Sequence, residues 1–225
     1  RMSPLWRRLR ALILAGAALI AGQGSTFAAE PLPRLSIERD QITVSGLSSG
    51  GFMAAQLGYA HSALFRGVGV FAAGPYACAH RGSYQDCMDN AEIGRLALAA
   101  MQADIDGWSG KQIDDRAGVA GQRVFLFVGD RDATVGTRPV DALRTQYRNN
   151  GVGSEALDVV RRAGVAHVFP TDFDAAGNGR CDQSESPFIA NCGYDGAGAV
   201  LAHLYGPLKA RNDAPPDSGF RRFDQ

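Results

Sequence analysis

The sequence predicts an α/β protein: a mostly parallel sheet with helices on both faces. Two observations carry this expectation. Val68-Gly-Val-Phe-Ala-Ala73 and Arg123-Val-Phe-Leu-Phe-Val128 are nearly continuous apolar runs, as a strand buried on both faces requires. Helix-like segments alternate with such runs along the chain, the pattern of crossover-connected parallel strands. The 225 residues suit one domain, or most of one, with a real core.

The elements follow in order. Arg1, Arg7, Arg8 and Arg10 make a basic start, Ala11–Ala21 is an apolar run too short to span a bilayer comfortably, and Gly22–Ala29 is rich in small residues. This layout predicts a secretory signal peptide over residues 1–28, with Thr26 and Ala28 at the small-residue positions before the cut. A catalytic domain over 29–225 follows, with no stable membrane insertion after cleavage and an extracellular or periplasmic destination. Pro31 and Pro33 make a stiff lead-in, Gln41–Ser45 alternates as a strand, and Gly50–His61 reads as a helix. After the first apolar run, residues 75–88 form a loop containing Cys78 and Cys87, and Ala91–Met101 looks helical. After the second run, Pro139–Tyr147 reads as a helix with proline at its first position, and Leu157–Val160 as a short strand. Thr171–Pro187 is polar and loop-like, Gly193–Tyr205 is a last amphipathic helix, and the tail after Gly206 has no core pattern.

Lysine plus arginine and aspartate plus glutamate each number 23, so nothing points to nucleic acid or anionic lipid as a partner. Export changes how the four cysteines read: in an oxidising compartment an even count suggests bridges. The two local pairings, Cys78–Cys87 and Cys181–Cys192, are favoured because each closes a short, loop-like stretch. No CxxC occurs and no histidine sits at ligand spacing beside them, so no metal site is expected. Asp172-x-Asp174-x-x-Gly177-Asn178-Gly179 resembles a calcium loop, but Ala176 and Gln183 stand where two ligands belong, and it reads as a loop tied down by Cys181.

Gly46-Leu-Ser48-Ser-Gly50 is the only G-x-S-x-G string in the chain, and it falls between a strand and a helix. A serine on such a sharp turn projects its hydroxyl above the sheet edge. Gly46 and Gly50 are read as the small neighbours the turn needs, and the Ser49 N–H as an oxyanion donor at the helix N-terminus. A serine hydroxyl needs a base, and the base needs an orienting carboxylate. In α/β-hydrolases both follow the serine, acid first. Asp132 lies just past the predicted strand Arg123–Val128, where parallel sheets build their sites, and is preferred to Asp130, which reads as a turn residue. His167 follows in a loop; His203 falls inside the last helix, and His61 and His80 precede the acid. The expected triad is therefore Ser48, Asp132 and His167, with no cofactor.

An ordinary α/β-hydrolase has several strands before its nucleophile, and about twenty mature residues before Ser48 cannot supply them. Either the sheet is reduced or those strands come later by circular permutation. Gly46-Leu-Ser-Ser-Gly-Gly-Phe-Met-Ala-Ala-Gln-Leu57, Ala73-Gly-Pro-Tyr-Ala-Cys78, His167-Val-Phe-Pro-Thr171 and Asn191-Cys-Gly-Tyr-Asp195 resemble extracellular polyhydroxyalkanoate depolymerases. The likeness is to the short-chain-length poly(3-hydroxybutyrate) type with a circularly permuted catalytic domain. It implies a serine esterase acting on that polyester, with Ser48, Asp132 and His167 as its triad; a monomer is expected separately from the resemblance. It also implies C-terminal truncation, because family members continue past the position of Gln225 into a part that supplies a further oxyanion donor. The alternatives are another secreted carboxylesterase, acting on acetyl, feruloyl or synthetic polyester substrates, or an inactive fragment of such an enzyme.

Overall fold

The computed structural model describes residues 30–88, 98–220 and 223–224. The expected signal peptide and the first residues of the helix expected over Ala91–Met101 lie outside the described residues. The chain divides into two units, one of residues 37–211 and one of the two terminal segments. In the terminal unit Glu30–Pro31 pairs in parallel with Phe223–Asp224.

The larger unit is built on a four-stranded, all-parallel sheet in sequential order: β1 (Thr43–Leu47), β2 (Gly67–Phe71), β3 (Arg123–Gly129) and β4 (Leu157–Arg162). The crossovers carry α1 (Ser49–Ala60), α2 (Leu98–Trp108) and α3 (Thr137–Asn149). The strands alternate sides as a pleat must. Val68 and Val70 of β2 and Val124, Leu126 and Val128 of β3 meet Ala54, Ala55 and Tyr59 of α1, Ile105 of α2, and Val140, Leu143 and Tyr147 of α3. Phe71, Phe125 and Phe127 face the other way, onto Val200 and Leu204 of α4 (Gly196–Tyr205). Helices thus cover both faces, as the near-continuous apolar runs of β2 and β3 require.

Two close approaches depend on missing side chains. A Cβ at Gly69 would stand 2.4 Å from Val200 Cγ2, so glycine lets α4 lie on the sheet. A Cβ at Gly58 would stand 2.5 Å from Val68 Cγ2, which sets how close α1 comes to β2.

The elements depart from expectation in several places, the last helix starting at Gly196 and the second helix running on to Trp108 among them. The strand read over Gln41–Ser45 begins two residues later, after a 3₁₀ turn at Arg39–Gln41. The third helix starts at Thr137, so Pro139 lies inside its first turn and not at its first position. N–H groups throughout the first turn lack an acceptor within the helix, so the proline forfeits no hydrogen bond there. The loop read from Thr171 is flanked by two short strands, β5 (Phe169–Thr171) and β6 (Ile189–Asn191), which pair in parallel. Three residues are too few for a period to show, and β5 contains Pro170. Both cysteine pairings are as expected: Cys78–Cys87 and Cys181–Cys192, with Cα–Cα separations of 5.9 and 5.3 Å. Among the described residues no helix is long and apolar enough to cross a membrane.

Gly69→Ala should destabilise the protein by about 1–3 kcal/mol through overpacking against Val200. Gly107→Ala, in α2 with nothing near its added methyl, should stabilise by roughly 0.5–1 kcal/mol. Urea unfolding of the two variants checks both, and the opposite order would contradict the packing described.

Candidate active site

Ser48 sits between the end of β1 and the start of α1. Its backbone has φ 57° and ψ −121°, outside the ordinary regions for a side-chain-bearing residue. Such strain persists only where surrounding structure over-determines it. Here the Ser48 N–H donates to the Phe71 carbonyl at the end of β2 (2.9 Å), and the Ser48 carbonyl accepts from Phe52 N–H in α1 (2.8 Å).

Room for the bend comes from Gly46 and Gly51. A Cβ at Gly46 would lie 2.3 Å from the Gly50 carbonyl carbon, and one at Gly51 would lie 2.9 Å from the Phe71 carbonyl oxygen. Gly50 was expected to share this role, but nothing lies within 4 Å of the site of its Cβ. The crossing strand and helix meet at Gly46 and Gly51, whereas position 50 turns outward. Ser49 is the first residue of α1, where an N–H has no acceptor inside the helix. This is the backbone position expected of an oxyanion donor.

Asp132 lies three residues past the end of β3, and its side chain is wholly buried. Oδ1 accepts from the backbone N–H groups of Thr134 and Val135, each at 2.9 Å. Oδ2 lies 2.8 Å from Nδ1 of His167, whose side chain is also buried. Burial by itself pushes the carboxyl of Asp132 up. The hydrogen bond from His167 and those from Val135 and Thr134, helped by the imidazole's charge, outweigh it and hold the group below its usual range. With both oxygens of Asp132 occupied, the shared proton belongs on Nδ1, which leaves Nε2 as the basic nitrogen.

Asp130 does different work. Its carboxylate accepts from Gly164 N–H at 2.7 Å, while the N–H groups of Asp130 and Arg131 donate to Arg162 and Val165, each at 3.0 Å. These bonds tie the loop that leaves β4, and so His167, to the loop that carries Asp132. Gly129 permits the approach, since a Cβ there would collide with the Val165 carbonyl oxygen at 1.9 Å.

The His167 loop has a second anchor that sequence reasoning missed. His167 N–H donates to Ser184 Oγ (3.0 Å), and Ala166 N–H donates to the Cys181 carbonyl (2.8 Å). Both acceptors belong to the stretch closed by Cys181–Cys192. A serine in a polar loop carries no sequence signal for this role. The calcium-like string lies in the same region, with its carboxylates turned to the protein: Asp174 accepts from Asn191 Nδ2 (2.9 Å), and Asp172 pairs with Arg211. His203 instead places Nε2 3.0 Å from the Ala156 carbonyl.

A cleft of about 700 Å³ opens beside Ser48. Phe52, Met53, Tyr76 and Trp108 give it an apolar lining, and the Cys78–Cys87 bridge forms part of its wall. The loop after β2 is held there by Gln146 of α3, which accepts from Tyr76 N–H (2.8 Å) and donates to its carbonyl (3.1 Å).

A strained serine between strand and helix, with a buried carboxylate–imidazole pair past the C-terminal ends of later parallel strands, defines a protein of the α/β-hydrolase fold. No family model matches the chain. The polyhydroxybutyrate depolymerase of Talaromyces funiculosus is 43% identical over 208 residues, covering 92% of this chain and 60% of that protein. The poly(3-hydroxybutyrate) depolymerase of Delftia acidovorans is 41% identical over 224 residues, covering 96% of this chain and 44% of that protein. Among solved structures, the PHB depolymerase from Penicillium funiculosum gives a TM-score of 0.77 at 42% identity, over 82% of this chain and 57% of that one. A serine-to-alanine PHB depolymerase variant complexed with an R3HB trimer gives 0.78 over the same shares. The chain is similar to these polyhydroxybutyrate depolymerases over most of its own length, and it spans less than two thirds of each of them.

A depressed carboxyl in the folded state contributes stability above its unfolded value, and that stability is lost as pH falls through the folded value. The unfolding free energy lost in Asp132→Asn relative to the parent should therefore be full at pH 6 and shrink below about pH 4. Urea unfolding at pH 6 and pH 3 checks this, and a difference that grows at pH 3 would contradict the bonding described.

Proposed function

We propose that this chain carries the catalytic centre of a secreted serine esterase that hydrolyses poly(3-hydroxybutyrate) or a similar short-chain polyhydroxyalkanoate. The observation that carries the reading is the buried 2.8 Å contact between Asp132 and His167, in a protein whose G-x-S-x-G serine holds a strained bend. Homology to depolymerases supports the substrate class.

In this reading His167 Nε2 takes the Ser48 hydroxyl proton as Oγ attacks the ester carbonyl carbon. Asp132 keeps the imidazole in the required tautomer and stabilises its charged form. The tetrahedral oxyanion is met by the Ser49 N–H and the N-terminus of α1. As the carbon–oxygen bond breaks, His167 gives its proton to the departing alkoxide, and an acyl-serine remains. Water then attacks the acyl carbon with His167 as base, releasing the acid and restoring Ser48. Every proton is moved by His167, so the cycle calls on no cofactor.

The apolar cleft beside Ser48 suits the substrate. A hydroxybutyrate polyester carries methyl branches and ester carbonyls but no charge, so it can be desolvated against Phe52, Met53 and Trp108 at little cost. The remaining parts of the proposal are a leader over residues 1–28, export into an oxidising compartment where the two disulfides persist, and action as a monomer.

Ser48→Ala should lower release of 3-hydroxybutyrate from polymer by about 10⁴-fold or more while thermal unfolding stays unchanged. Undiminished release by that variant would remove Ser48 from the mechanism. Turnover of short soluble esters with none of the polymer would redirect the reading to another carboxylesterase.

A further inference from the structure

We propose that Phe188 is the specificity-determining residue on the leaving-group side of the site, the surface on which the departing alcohol unit of the polyester rests. The proposal rests on the esterase reading above and adds a substrate contact to it.

Three observations converge on this side chain. Phe188 has φ 60°, a conformation that residues with a Cβ rarely adopt. Its ring meets that of His167 edge to face, with centroids 6.4 Å apart and planes at 78°. Yet the residue is 41% exposed beside an imidazole that is nearly buried. A bulky aromatic held in an unfavourable backbone conformation and left open to solvent gives little to the core. Backbone strain of this kind is maintained where a side chain must be aimed.

The aim is firmly set. Phe188 N–H donates to the Glu185 carbonyl (2.8 Å), and its own carbonyl accepts from Phe169 N–H at the start of β5 (2.7 Å). The next residue, Ile189, begins β6, which is paired to β5. Ser184, which holds the His167 backbone, belongs to the same disulfide-closed stretch. One loop therefore positions the base and presents a phenyl ring beside it.

The chemistry says which half of the substrate that ring meets. The proton that His167 takes from Ser48 must be handed to the oxygen of the leaving alcohol. That oxygen has to come to the imidazole, and whatever is bonded to it lies alongside. In a polyester the leaving group is a further hydroxybutyrate unit, with a methyl and a methylene to lay against a phenyl face. In a methyl ester the leaving group is methanol, which reaches no such surface. The ring thus favours oligomer over simple ester by binding the part of the substrate that departs.

The test compares two substrates with the same acyl group: the (R)-3-hydroxybutyrate dimer and methyl (R)-3-hydroxybutyrate. Phe188→Gly removes the ring while suiting the backbone, since glycine accepts φ 60° freely. It should lower kcat/KM for the dimer about tenfold and leave the methyl ester within roughly twofold, with Phe188→Leu recovering most of the loss. Equal losses on both substrates in both variants, or no loss on either, would overturn the proposal and leave the esterase reading standing. A parent protein that cleaves neither ester would overturn both. If Phe188→Gly fails to fold, the dimer-to-methyl-ester ratio of Phe188→Asn, which also removes the ring and tolerates φ 60°, decides against the parent, and an unchanged ratio overturns the proposal.

Discussion

The hydrogen bond between Asp132 and His167 is the interaction on which the rest of the site depends. A carboxylate with no exposed side-chain surface is costly unless every oxygen is engaged. Here one oxygen takes two backbone N–H groups and the other takes the imidazole. The arrangement needs no neighbouring lysine or arginine, whose charge would compete for the carboxylate. The turn that supplies Thr134 and Val135 therefore both solvates the charge and fixes the direction in which the second oxygen points. That direction orients the histidine.

Around this bond the fold acts as a set of clamps. The sheet places the end of β1, the loop after β3 and the loop after β4 at one edge, and backbone bonds then join these pieces. Ser48 is tied to the end of β2, and Asp130 and Arg131 are tied to the loop after β4. The Cys181–Cys192 loop reaches back to hold the backbone of residues 166 and 167. The clamps rest on contacts that a methyl group would break, at Gly46, Gly51 and Gly129. Precision at the site is thus a matter of backbone approach, and few side chains outside it are needed.

Much of this was legible in the sequence, for identifiable reasons. Buried parallel strands cannot alternate, so β2 and β3 stood out as apolar runs. Ser48 was visible because a sharp strand-to-helix bend demands glycine at a fixed offset. Asp132 and His167 were reachable because the ends of parallel strands converge on one edge, whatever their separation along the chain. What stayed hidden were features that depend on contacts across space. Gly50 and Gly51 are identical letters, and only the crossing of β1 and α1 tells which one is crowded. Ser184 looks like any loop serine until the histidine loop is placed against it. Phe188 reads as one more apolar residue before a strand, because a backbone dihedral leaves no mark on composition.

In the proposed mechanism Ser48 is an activated nucleophile served by His167. Incubation with a fluorophosphonate followed by peptide mass spectrometry tests it most directly. The parent protein should gain one phosphonyl group, mapped to Ser48 and not to Ser49, and His167→Ala should gain none in the same interval. Labelling that falls on another residue, or that proceeds equally fast without the imidazole, would contradict the claim.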